Sequence, residues 1–173
     1  MKKIFLILFT ILFYSCGDAT VNQGLSVNKP EINTVKKHTI KSDLDKISQK
    51  NILNWKEYRS VADNIKKFSS ISANEALNNA IQLANLVKLM KDSIRPKDLI
   101  NPSFRTRVNV LENEALRLKD MTFISSITSK EVNQQVDKIM AAFSATNSKI
   151  NTVYSQLEVE KEIQINSNST NIN

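Results

Sequence analysis

The chain has 173 residues, with 24 Lys and Arg against 17 Asp and Glu, for a net charge of +7. Its single cysteine excludes an intramolecular disulfide, and both of its glycines precede residue 42, so the rest of the chain has no phosphate-cradling loop. Its single histidine, His38, argues against a His-based triad or a Glu-x-x-His metal site, and no enzymatic activity, metal or cofactor is expected.

At the N-terminus Lys2 and Lys3 precede an unbroken apolar run, residues 4–14, followed by Ser15 and Cys16. A short positive region ahead of such a run is the pattern of an export signal. As a helix the run spans about 16 Å, half of a hydrocarbon core, which argues against a permanent transmembrane helix. A plain secretory cleavage site wants small residues one and three positions before the cut, and Phe13 is not small. Leu12-Phe13-Tyr14-Ser15-Cys16 instead resembles a bacterial lipobox. That resemblance implies that residues 1–15 are a signal peptide and that Cys16 becomes the new N-terminus, carrying covalent diacylglycerol and an N-acyl lipid such as palmitate. Phe13, in place of the usual aliphatic residue, is similar to the permissive lipobox of spirochaetal lipoproteins. At ~0.8 kcal/mol per buried CH₂, several acyl chains would hold the mature protein on a membrane for its lifetime.

Residues 16–41 are polar, contain both glycines and one of three prolines, and show no sustained period. They read as a flexible tether with a root-mean-square span of about 28 Å. His38 lies in this stretch, which makes it a poor ligand or general base. Lys36, Lys37 and Lys41 are open to two readings, contact with anionic lipid or a solvated basic linker.

Past Lys41 apolar residues recur in steps of three and four, which predicts helices. The first runs over 43–69 behind a weak Ser42-x-x-Asp45 box, with Trp55 and Tyr58 on its core face. The second, 73–94, opens at the capping box Ser72-Ala73-Asn74-Glu75 and carries so many apolar residues that it should be buried on most sides. Either two neighbours flank it, or the 77–94 helix forms part of a homodimer interface. Asn101-Pro102 caps the third, 102–121, and Thr128-Ser129-Lys130-Glu131 opens the fourth, 129–162. The domain boundaries that follow are 42–163 for the helices and 164–173 for a short disordered tail.

The expected fold is all-α, an antiparallel up-down four-helix bundle with a flexible N-terminal tether. In that arrangement the first and fourth helices outlast the middle pair. Their overhang lies at the tether end, where Leu44 and Ile47 would meet Val153 and Leu157 as a two-helix stalk.

Two clusters are candidate sites. Lys88, Lys91, Arg95, Lys97, Arg105 and Arg107 surround the connection between the second and third helices, faced only by Asp92 and Asp98. Arg105 and Arg107 oppose the helix dipole in a first turn, so they either pair internally with Glu158, Glu160 and Glu162 or meet an external polyanion. At the other end, taken as membrane-distal, Ile71, Phe123, Ile124 and Ile127 sit in connections, where they either plug the bundle or contact a partner. Glu112 and Glu114 are alternate residues on a helix and point apart, so shared acid-base work is not expected.

Lipobox, tether and small helical domain together resemble the helical surface lipoproteins of spirochaetes. The resemblance implies an outer-membrane, cell-surface location and a role as an adhesin, immune-evasion factor or antigen in virulence, with a host or vector protein or glycosaminoglycan as partner. Nucleic acid is not expected for an exported chain. The alternative is a periplasm-facing envelope lipoprotein that acts as scaffold or chaperone.

Overall fold

In a computed structural model of the chain, residues 29–170 are described. The expected signal peptide, Cys16 and the first half of the expected tether, together with residues 171–173, lie outside the described residues. The described elements are α1 (Lys29–Ile32), β1 (Val35–Lys37), α2 (Lys46–Asn51), α3 (Lys56–Lys67), β2 (Ser70–Ser72), α4 (Ala73–Asp92), α5 (Pro102–Met121) and α6 (Ser129–Thr170), with a 3-10 turn at Lys97–Leu99. The four long helices, α3 to α6, form the antiparallel up-down bundle, each packed on the next, with α6 also against α4.

The expected start signals hold these helices in place. Ser72 Oγ accepts from the Glu75 N–H while the Glu75 carboxylate accepts from the Ser72 N–H at 3.1 Å, and Thr128 and Glu131 make the same reciprocal pair. Asn101 accepts from the Phe104 N–H at 2.9 Å, with Pro102 at the first helical position. The core follows the three-four stripes: Phe104, Val108, Leu111, Ala115 and Leu118 of α5 face Val132, Val136, Ile139, Phe143 and Ile150 of α6, all buried. On α4 the buried Ala73, Ala76, Ala80 and Ala84 present little bulk, so its neighbours can approach closely between Leu83, Val87 and Met90.

The expected first helix, 43–69, is two helices joined by a turn at 52–55. The reason lies in the spacing: Ile47 and Ile52 are five residues apart, which rotates one off the stripe of the other. Ile47 is exposed, Ser48 is buried, and Asp45, not Ser42, supplies the N-cap by accepting from the Ser48 N–H at 2.7 Å. Beyond the turn Trp55 and Tyr58 are buried as core residues. Trp55 lies 6.1 Å from Phe104 and Tyr58 5.9 Å from Phe143, centroid to centroid.

The expected tether is likewise corrected from Lys29 onward. β1 pairs antiparallel with β2, Val35 opposite Ser72 and Lys37 opposite Ser70, and the following residues run down α6 as a strap. Four rungs fasten it: His38 Nδ1 to Asp137 Oδ1 at 2.6 Å, Lys41 N–H to Ser144 Oγ at 2.9 Å, Asn147 Nδ2 to Ser42 O at 2.9 Å, and Asn151 Nδ2 to Asp43 O at 2.9 Å. Positions 137, 144, 147 and 151 recur in steps of seven, three and four, so one polar stripe of α6 takes the strap while its apolar stripe faces the core.

The tail too differs from expectation. α6 continues to Thr170, because nothing between Ser129 and Thr170 is a proline or glycine that would stop it. Residues 158–168 are all exposed, and from Glu158 to Thr170 the helix runs on for about 20 Å. Val153, Leu157 and Leu44 do pack on the core, but α6 alone overhangs, at the end opposite Lys29, and no two-helix stalk forms.

Asn147 is 1% exposed and has both side-chain atoms engaged, since its Oδ1 accepts from Tyr58 Oη at 2.7 Å. Asn147→Ala leaves a buried hydroxyl and the Ser42 carbonyl unpaired, and is expected to lower unfolding free energy in urea by about 2–4 kcal/mol. Asn151→Ala, at a half-buried position open to water, should cost under about 1 kcal/mol. Hydrogen bonds from Ser72 and Thr128 hold the Glu75 and Glu131 carboxyls below the ordinary glutamate value of 4.5. Their contribution to stability is present above that value and lost as pH falls through the lower folded one. Acid titration of the Glu75→Gln, Glu131→Gln double variant should therefore show a shallower loss of stability below about pH 4.5 than the parent.

Candidate functional site

The end of the bundle opposite Lys29 gathers the basic cluster, because α4 ends and α5 begins there. Half of the cluster is paired. Lys88 Nζ lies 2.6 Å from Asp92, one turn along an exposed face, and each holds the other charged: the hydrogen bond raises the Lys88 pKa and lowers that of Asp92. Lys91 Nζ meets the half-buried Glu112 of α5 at 2.5 Å. Arg95 reaches Glu57 of α3 at 3.3 Å. The Glu57 carboxyl is held below the ordinary range first by its own backbone N–H at the start of α3, then by Arg95.

The other half, Lys97, Arg105 and Arg107, is exposed and makes no ion pair among the described residues. Glu158, Glu160 and Glu162 stand at the same end but do not neutralise the arginines, which corrects the expectation of internal pairing. α6 carries them past the bundle, exposed, and Glu158 faces Lys161 of its own helix at 3.7 Å. Instead Arg107 shares a shallow groove of about 330 Å³ with Lys149, Ser148 and Thr152 of α6. Two cations and two hydroxyls side by side form a surface that attracts anionic groups. Leu53 and Ile100, also at this end, are 60% and 52% exposed. Tyr154, beneath the 93–101 connection, has its phenol pushed up to about 12 by burial, with Asp98 adding to the effect.

At the opposite end the four apolar connection residues divide. Ile71 is buried in β2 and Ile127 packs against the core, so these two plug the bundle. Phe123, at 77% exposed, and Ile124, at 48%, stand in solvent between α5 and α6. Lys29 comes in at this end, with Asn33 Oδ1 accepting from Asn74 at 3.1 Å and Glu31 beside Ser129.

The face of α4 over residues 77–94 is less buried than its composition suggested. α3, α5 and α6 cover it on three sides, and Ile81 and Leu89 remain exposed among Asn78, Gln82, Asn85 and Lys88. Glu112 and Glu114 do point to separate partners. Glu112 pairs with Lys91, and Glu114 accepts from the buried Gln135 at 2.7 Å.

A cleft of about 580 Å³ between the strap, α3 and α6, lined by His38, Ile40, Leu44, Tyr58, Lys66 and Phe143 among others, has no signal in the sequence, where the strap has the composition of a linker. His38 is 4% exposed at its rim and Asp137 orients it, but its Nε2 makes no hydrogen bond, and Ser69 Oγ donates to Lys66 O instead. No nucleophile is therefore paired with the ring. Among the described residues no group of three or more His, Cys, Asp or Glu is placed to hold a metal ion, and no helix is long and apolar enough to cross a membrane.

Comparison with protein-family models, with curated proteins and with solved structures finds no match to this chain.

The paired and unpaired cations should separate by stability. Lys91→Met leaves Glu112 half-buried without its partner and is expected to cost about 1–2 kcal/mol in urea unfolding. Arg105→Ala and Arg107→Ala should each stay within about 0.5 kcal/mol of the parent.

Proposed function

We propose that this chain is a non-enzymatic lipoprotein, anchored through lipid on Cys16 to the outer membrane and displayed at the cell surface, where its bundle binds a sulfated or carboxylated polyanion of a host or vector. The observation that carries the binding half of this reading is the unequal pairing of the basic cluster. Three of its cations have carboxylate partners, and Lys97, Arg105 and Arg107, all at the end remote from Lys29, have none among the described residues. Arginine forks suit sulfate and carboxylate groups, and the exposed Leu53 and Ile100 nearby would add apolar contact to a protein-borne ligand. The anchoring half rests on the resemblance of Leu12 to Cys16 to a lipobox.

Heparin serves as the test polyanion. The protein should bind immobilised heparin at low ionic strength, release as salt rises, and elute markedly earlier as the Arg105→Ala, Arg107→Ala double variant. Unchanged elution of that variant would remove the polyanion. Protease treatment of intact cells should destroy the protein. Survival until the outer membrane is broken would instead favour a periplasm-facing scaffold or chaperone.

A further inference from the structure

The end of the bundle at which Lys29 comes in has three properties that belong together. First, it carries the most exposed large apolar side chain among the described residues, Phe123, with Ile124 beside it in the α5–α6 connection and Val35 of β1, 58% exposed, at the same end. Second, its surface is basic: Lys36 and Lys37 of β1, Lys66 and Lys67 at the end of α3, and Lys130 at the start of α6 are exposed and Lys119 is half-buried, against Glu31, Glu75, Asp120 and Glu131. Third, only the twelve residues 17–28 separate Lys29 from Cys16, so their Cα atoms can lie at most about 45 Å apart.

Resting on the lipid anchor proposed above, we propose that this end is a second membrane contact: Phe123 and Ile124 insert into the head-group region of the bilayer that holds Cys16, and the surrounding lysines meet anionic lipid. A short link to the anchor makes the second contact intramolecular, so two apolar side chains suffice where they would not hold a free protein. A phenyl ring flanked by lysines is suited to the interface, with the ring among acyl carbons and the ammonium groups at phosphate level. The contact fixes the orientation of the domain. The bundle, about 30 Å long, then stands on the membrane with Arg105, Arg107 and Lys97 at its far end, and α6 projects about 20 Å beyond.

The experiment uses the acylated mature protein, beginning at Cys16, in vesicles of phosphatidylcholine and phosphatidylglycerol containing a lipid with a nitroxide near the head-group end of its acyl chain. Phe123→Trp supplies the probe at an exposed position that tolerates it. The native Trp55, 1% exposed and at the opposite end, supplies the reference, and Ile100→Trp supplies the distal control. The Phe123→Trp emission should shift to shorter wavelength and be quenched at least twofold, while Trp55 and the Ile100→Trp probe are not. Raising salt should lessen the quenching as the lysines lose anionic lipid. A chain that floats with the vesicles but leaves the Phe123→Trp probe unquenched overturns the contact and spares the anchor. Shielding of that probe from aqueous iodide without lipid quenching does the same and assigns the patch to a protein surface, a second copy included. A chain that takes up no palmitate and does not float overturns the anchor, and the contact with it.

Discussion

The fold depends on the side chain of Asn147, which ties three elements together by hydrogen bonds. From the middle of α6 it donates to the strap at Ser42 and accepts from Tyr58 of α3, in a place almost closed to water. An amide has donors and an acceptor pointing in different directions, which is what a junction between a backbone carbonyl and a phenol needs. Burying it is costly unless both halves are matched, so the strap, α3 and α6 have one arrangement in which nothing polar is stranded. Tyr58 is tied into the same arrangement: its ring lies against Trp55 and Phe143, and burial raises its pKa with Asp43 of the strap adding to the effect.

This junction explains why the molecule has two ends of different character. The strap runs down α6 in the same direction as α6 itself, from His38 beside Asp137 to Asp43 beside Asn151. Lys29 is therefore held at the end of the α5–α6 connection, and α2 is delivered to the end where α4 gives way to α5. Had residues 29–41 hung free from a first helix beginning at Asp43, the link to Cys16 would have left from the other end. That end is the one that carries the basic cluster.

The bundle was legible in the sequence because its signals are local. Two capping boxes and an Asn-Pro pair mark three helix starts, and stripes such as Phe104, Val108, Leu111, Ala115 and Leu118 repeat often enough to be read without a structure. What was not legible has no period or no local cause. Strands of three residues are too short to alternate, and β1 is held by a partner more than thirty residues away. The strap is polar because its backbone is satisfied by side chains of α6, a composition indistinguishable from that of a linker. The break at 52–55 was present as the five-residue step from Ile47 to Ile52, and the burial of Trp55 and Tyr58 made it easy to pass over. For the basic cluster, sequence placed the residues together but not their partners: Glu57 and Glu112 lie 38 and 21 residues from Arg95 and Lys91 and meet them only through the packing of the helices.

The rungs of the strap join residues 99 to 108 positions apart. A nascent polypeptide has no α6 when residues 38–45 leave the ribosome, so the rungs of the strap cannot form until nearly all of the domain exists. Such ordering leaves the strap undocked for most of synthesis, so the domain closes on itself only after its last helix is made.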